Sequence, residues 1–400
     1  MTLTDSPAAW RRLAIAILIG TIGSVGMWAF VVALPAVQAD FGIARGQASL
    51  PYTLTMTGFA FGGVLMGRLA DRFGVLVPLI VGGASLGLGY IAAALSPNVM
   101  LYGAAHVLVG FGSSASFAPL MSDLSHWFVK RRGIAVALAS SGNYLAGTIW
   151  PPLLQHFIAR DGWRHTTLMI GIFCFVTLVP LAFALRKRAP VEAGSHAAPV
   201  SRFGTLDLSP RALLVLLIVA GVACCVAMSM PQVHIVAYCA DLGYGPARGA
   251  EMLSAMLGFG IISRIASGFV ADRIGGLATL LIGSTLQGIA LFLYLFFDGL
   301  TSLYVISALF GLFQGGLVPM YAVIVREYFP AAKSGGTLGL VIMATLFGMA
   351  FGGWISGWIF DVTGSYHMAF INGLAWNFVN VAIVCLLMMK RRFAPTAAHD

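Results

Sequence analysis

Gly67-Arg68-Leu69-Ala70-Asp71-Arg72-Phe73-Gly74 returns 201 residues later as Gly268-Phe269-Val270-Ala271-Asp272-Arg273-Ile274-Gly275. The same offset pairs Gly110 with Gly311, and Trp127-Phe128 with Tyr328-Phe329. An offset that holds across separated segments makes the chain two copies of one unit. In a membrane-embedded chain, parallel halves of this kind place a binding site between them.

Composition decides the environment. Of the 400 residues 59% are hydrophobic and 9% charged, against about 25% charged in an ordinary soluble domain. So few charges cannot coat a water-facing surface. Short charge clusters are separated by apolar runs of about 20 residues, the length that spans a bilayer. The formal charge of +9 would suit nucleic acid, but the basic residues gather at helix ends, so no nucleic-acid partner is expected. Cys174, Cys224, Cys225, Cys239 and Cys385 show neither CxxC nor metal-ligand spacing and read as small packing residues. Neither a metal nor a cofactor is expected. Arg11-Arg12 and the run after them loosely resemble a secretory leader. The run from Leu13 to Val37 is too long for one and reads as the first membrane helix.

The spacing predicts an all-α membrane protein of twelve helices in two pseudo-symmetric sets of six. The first set covers 13–37, 47–69, 75–95, 99–125, 131–158 and 165–187, and the second 211–239, 248–271, 276–297, 300–326, 334–360 and 366–390. This divides the chain into an N-terminal bundle (1–187), a cytoplasmic linker rich in Ala, Pro and Ser (188–210) and a C-terminal bundle (211–400). Of the 23 Lys and Arg residues, 18 fall on one side of the helices. Four, Arg45, Arg160, Arg164 and Arg248, fall on the other, and Arg264 falls between. That asymmetry places both termini in the cytoplasm.

Two six-helix sets with G-x-x-x-D-R-x-G after helices 2 and 8 resemble the major facilitator superfamily. Gly67, Asp71, Arg72 and Gly74 match its signature, and Gly268, Asp272, Arg273 and Gly275 match the second copy; Val75-Leu76 stand where a basic pair is usual. The string Trp127-Phe128-Val129-Lys130-Arg131-Arg132-Gly133-Ile134-Ala135-Val136-Ala137-Leu138-Ala139-Ser140-Ser141-Gly142 resembles the signature of the monocarboxylate transporters. It departs at Ile134, Ala137 and Ser141, and oxalate/formate-type carriers share parts of it. In those families helix 8 carries an arginine four residues before the motif glycine, as Arg264 precedes Gly268. Members often place an acid four residues before that arginine, where this chain has Gly260. The resemblance implies alternating access, with a site between the halves.

Arg264 is the strongest single signal. It lies 16 residues after Arg248 and eight before Asp272, so roughly 24 Å and 12 Å from the two ends of its helix. Arginine at that depth costs about 2.5–3.5 kcal/mol on insertion scales. Helix 8 has no acid one turn away, and a planar guanidinium fork fits a carboxylate. An anionic substrate would complete it; snorkelling or bonds to backbone carbonyls would also account for it. The 334–360 helix has no Lys or Arg, and one fixed cation suits a monoanion.

Further substrate-binding candidates follow from helical spacing. His106, Ser113 and Phe117 share one face of helix 4 with Ser116 beside them, which reads as a cavity stripe or as a packing seam. Asn143 and Tyr144 lie mid-membrane in helix 5. Gln314, the repeat mate of Ser113, shares a face with Tyr321 in helix 10. His234 and Tyr238 sit nearer the far side and suit an outer gate. His106, His234 and the substrate itself are the candidate proton carriers, so proton symport and anion exchange both stay open. Asp71, Arg72, Asp272, Arg273 and the Lys130-Arg131-Arg132 run suit contacts that hold the outward-facing state together at the inner face.

The expected protein is therefore a non-enzymatic secondary carrier, monomeric, in a bacterial inner membrane. It would move a small organic anion such as lactate or pyruvate. Rival readings are an exporter of lipophilic drugs on the same fold and a transporter-like anion sensor.

Overall fold

The computed structural model describes residues 4–128, 131–187 and 205–392. Sixteen helices make twelve spans among them. The first span is α1 (Pro7–Gly23) with α2 (Val25–Phe41). Then come α3 (Arg45–Phe73), α4 (Leu76–Ala94), α5 (Val99–Ser114) with α6 (Ala118–Trp127), α7 (Arg132–Ser140) with α8 (Gly142–Asp161), and α9 (Trp163–Ala184). The second set is α10 (Pro210–Asp241), α11 (Pro246–Ile274), α12 (Gly276–Leu293), α13 (Leu300–Gln314) with α14 (Leu317–Tyr328), α15 (Ala331–Thr363) and α16 (His367–Met389). β1 (Thr205–Leu206) pairs antiparallel with β2 (Arg391–Arg392) and ties the stretch before α10 to the end of α16. Most of the expected linker, residues 188–204, and Lys130 lie outside the described residues.

Four spans that the sequence reads as continuous are broken, and local chemistry gives the reason. Pro119 and Pro319 each lack an amide and press on the carbonyl four residues back, at Ala115 and Gly315. α5 ends at Ser114 and α13 at Gln314, just before those carbonyls. The other two breaks fall at Gly/Ser pairs, Gly23-Ser24 and Ser141-Gly142, which kink helices readily.

One apolar cluster fills each half, around Leu79, Leu124 and Leu178 in the first and Leu280, Ile324 and Val384 in the second. A third, with Trp28, Tyr52, Tyr144, Met256 and Tyr366, crosses between them. The seam has two walls: α3 against α15, and α8 against α11. Ten of the spans are long and apolar enough to cross a membrane by length and composition; α3 and the α7–α8 span are not.

The seam is tight at one end and splayed at the other. At the end away from the basic clusters, Thr53 donates to the Ala350 carbonyl (2.8 Å). There a Cβ at Gly46 or Gly357 would meet the facing backbone at about 3 Å, and one at Gly353 would meet the Tyr52 ring at 2.8 Å. Toward the basic end, Gly63 and Gly67 of α3 and Gly335, Gly336 and Gly339 of α15 have open space where a Cβ would be.

Candidate functional site

Arg264 projects from α11 into the seam at the level of two helix breaks. Its Nη1 donates to the Ser140 carbonyl (2.9 Å), across the seam at the end of α7. Its Nε donates to the Gly315 carbonyl (3.4 Å), in the gap between α13 and α14. Both acceptors are products of the breaks. A helix end leaves its last carbonyls without intrahelical donors, and Gly315 has lost the amide that Pro319 cannot supply. The guanidinium carbon also lies 4.3 Å over the Tyr144 ring, a cation–π contact. Among the described residues no carboxylate is within ion-pair distance of Arg264.

Tyr144 occupies this place because Gly260, one turn before Arg264, leaves room. A Cβ at Gly260 would fall 2.3 Å from Tyr144 Cε1. The Tyr144 hydroxyl reaches Gln314 Oε1 (3.4 Å), and Gln314 Nε2 is buried without a partner. Asn143 is beside Tyr144 but is engaged within its own half, where its Oδ1 accepts from Trp28 Nε1 (2.9 Å). The structure thus brings Arg264, Tyr144 and Gln314 together, with Asn143 next to them.

Other sequence candidates lie elsewhere. His106 is sealed inside the N-terminal half: its Nδ1 bonds the Tyr102 carbonyl (2.9 Å), and its ring packs on Tyr102 and Phe30. It lines a cavity of about 10 Å³, room for one water. Ser113 donates to the Gly23 carbonyl (2.7 Å), and Ser116 packs on Gly23 as well. The spacing that put them on one face is real, but that face meets the first span, not the seam. Phe117 sits at the α5–α6 break with its ring 6.2 Å from Phe59. Tyr321 is buried in the C-terminal half, donating to Asn380 Oδ1 (3.0 Å). The break at Gly315-Gly316 removes the continuous face that would have aligned it with Gln314.

The tight end is closed by a clamp whose centre, Arg45 with Asp241, Asp361 and Tyr366, sequence reasoning missed. Arg45 makes a forked pair with Asp241 (3.0 and 3.1 Å), and its Nη1 also donates to the Tyr366 hydroxyl (2.5 Å). Its backbone amide and that of Gly46 donate to the two oxygens of Asp361 (2.7 and 2.6 Å). α3 has no side-chain cap of its own at Ala44, so a carboxylate from the other half caps it. Burial pushes the Tyr366 phenol up from its usual value and keeps it neutral. His234 joins the clamp, with Nδ1 on the Tyr366 hydroxyl (2.9 Å) and Nε2 on the Gly353 carbonyl (2.8 Å). Tyr238 packs edge-on to Tyr366 at 5.5 Å. These partners lie 119 to 321 positions apart in the chain, and no local pattern links them.

At the splayed end, Asp71, Arg72, Asp272 and Arg273 are exposed, and none forms an ion pair among the described residues. Arg131 lies 5.8 Å over the Trp10 ring; of Arg132 only the backbone is described. Among the described residues no group of three His, Cys, Asp or Glu side chains could hold a metal.

Comparison with known proteins agrees with this architecture. The sequence profile of the Major Facilitator Superfamily matches residues 16–301 and, in a second match, 252–399. Monocarboxylate transporter 13 of Bos taurus is 29% identical over 320 residues, covering 78% of this chain and 73% of that protein. Its namesake from Rattus norvegicus is 27% identical over 364 residues, covering 89% and 82%. A solved bacterial homologue of the human lysosomal transporter Spinster, inward-facing and occupied, superposes with a TM-score of 0.76 at 12% identity, covering 98% of this chain and 100% of that one. That last likeness is one of fold.

Proposed function

The chain belongs to the Major Facilitator Superfamily and is a multi-pass membrane transporter of that type; on that premise we propose that it carries a small monocarboxylate, such as lactate or pyruvate, with the carboxylate bound at Arg264. The observation that supports this reading is the guanidinium itself. It sits in the seam between the halves with two carbonyls and a tyrosine face for company and, among the described residues, no paired carboxylate. A carboxylate offers a charge-assisted fork that neutral carbonyls cannot match. Gln314 Nε2, buried and unpartnered, is a second donor close by. Tyr144 forms the floor, and Asn143 flanks it. His106, Ser113, Ser116 and Tyr321 hold their own bundles together. Relatives named monocarboxylate transporters add support.

We assign the basic, splayed end to the cytoplasm by the excess of Lys and Arg there. The conformation is then inward-open. Asp71, Arg72, Asp272 and Arg273 are apart in it, as expected of residues that meet only when the inner end closes. The Arg45 clamp with His234 and Tyr238 is the outer gate in its shut form.

The test is counterflow of labelled lactate or pyruvate by the purified protein in liposomes. Arg264→Ala is expected to abolish it. Arg264→Lys keeps the charge but loses the fork, weakening apparent affinity roughly 10- to 150-fold for the loss of about 1.5–3 kcal/mol. Wild-type protein that moves no monocarboxylate, or full activity in Arg264→Ala, would overturn the assignment.

A further inference from the structure

The clamp end holds a cavity that the Arg264 site does not use. It encloses about 340 Å³ beside Arg45, between the end of the first span and the end of α10. Pro35, Ala39 and Ile43 give it an apolar side, and Gln38, Arg45 and Asp241 a polar one. Pockets for small molecules run from about 300 to 1,000 Å³ and share this make-up, an apolar lining with a few convergent polar groups.

The two charges on its wall are not equivalent. Arg45 has 7% of its side chain exposed and Asp241 33%. The guanidinium is positioned by groups other than Asp241. Its Nε donates to Gln38 Oε1 (2.5 Å), its Nη1 to the Tyr366 hydroxyl (2.5 Å), and its carbon lies 4.6 Å over the Phe360 ring. Asp241 gives both oxygens to the fork. It is also the last residue of α10, where a negative charge opposes the helix dipole. Arg45 and Gln38 belong to the N-terminal half and Asp241 to the C-terminal one. In the shut clamp, the carboxylate of one half therefore fills a ready-made carboxylate fork on the other.

We infer that this cavity is a second anion site, separate from Arg264, which takes a monocarboxylate with a compact apolar body from the outer side. The body rests on Pro35, Ala39 and Ile43, and the carboxylate takes the Arg45 fork from Asp241. Its effect on the gate follows from linkage. While the clamp is shut, Asp241 competes for the fork; once it opens, the fork is free and Gln38 still holds it. The anion binds the open form more tightly and raises its population by the ratio of the two affinities. What the anion replaces is a forked, charge-assisted pair, so that ratio is roughly 10-fold or more. The inference rests on reading this end as the outer gate, not on which acid is carried.

Benzoate is the probe, and benzamide, its neutral isostere, is the control at equal ionic strength. The full-length protein in detergent carries Arg264→Ala, which removes the seam cation, and Cys385→Ser, which removes the cysteine that is not fully buried. Spin labels go at Pro97→Cys and Asp298→Cys, in exposed loops of the two halves at this end. Benzoate should raise the longer-distance population roughly 10-fold or more, and benzamide should leave it unchanged. Asp241→Asn should lower the benzoate concentration at half effect by a similar factor, because a neutral amide competes poorly for the fork. Equilibrium dialysis of labelled benzoate reads the site without reference to the gate: Arg264→Ala should bind it, and adding Arg45→Gln should abolish binding. If Arg45→Gln fails to fold, Asp241→Asn keeps the arginine and decides by its tighter binding. Equal responses to benzoate and benzamide, no binding in the Arg264→Ala protein, or affinity unmoved by Asp241→Asn would each overturn the site. Binding that leaves the label distances unchanged would overturn its action on the gate.

Discussion

Gly260 and Tyr144 show how a single missing side chain sets the electrostatics of the site. With no Cβ on α11, the ring of Tyr144 reaches beneath Arg264 and presents its π face. Gly260→Ala should force that ring aside. Overpacking of this kind costs about 1–3 kcal/mol, seen as a lower melting temperature in detergent, and Tyr144→Ala in the same chain should recover much of it. Arg264 was legible in the sequence because a guanidinium at mid-membrane depth is expensive and conspicuous. Bonds to backbone carbonyls were one of the readings of it, and the structure shows two, but which carbonyls they would be was not legible. Backbone carbonyls leave no trace in a residue string, and which glycine faces which ring depends on helix rotation. His106 and Ser113 failed in the complementary way. Their shared face was visible, but spacing alone cannot tell a face turned to the seam from one turned to a neighbouring helix.

Among the elements, the broken spans matter most. Pro119 and Pro319 could have been read as breaks, since each removes an amide and crowds the carbonyl four residues earlier. At Gly315 that freed carbonyl binds Arg264 Nε. Pro319→Ala would return an amide to Gly315 and draw the carbonyl back into a continuous helix. The guanidinium would then have one tether fewer to shed, so the half-saturating concentration for lactate should fall a few-fold in counterflow, with a gain in thermal stability from the healed turn. The break at Ser141 shows no such proline signal, only the Gly/Ser pair. α3 is unusual in another way: its first amides, at Arg45 and Gly46, reach the Asp361 carboxylate of the other half.

For the molecule as a whole, the expected twelve spans and duplicated halves match the fold, because hydrophobic run length and the 201-residue offset are direct consequences of bilayer thickness and duplication. The conformational state could not be read, since it depends on contacts between segments hundreds of residues apart. Arg45 links α3 to α10, the α15–α16 turn and, through Tyr366, His234. Arg45→Ala should weaken the shut end by about 1–3 kcal/mol. The population open at that end would then rise about 5- to 150-fold relative to wild type, read as the distance distribution between spin labels at Pro97→Cys and Asp298→Cys in exposed loops of the two halves. An unchanged distance distribution would show that the α3–α15 packing alone keeps that end closed.

The low hydropathy of α3 and the α7–α8 span bears on how the chain enters the membrane. Each is polar along the flank that later meets α15 or α11, and those two helices are synthesised only after the whole first half has left the ribosome. During that interval both must be sheltered by their own neighbours or by the insertion machinery. A fragment ending before α10 should accordingly leave α3 and α8 poorly inserted and open to proteolysis, and co-expression of the second half should rescue them.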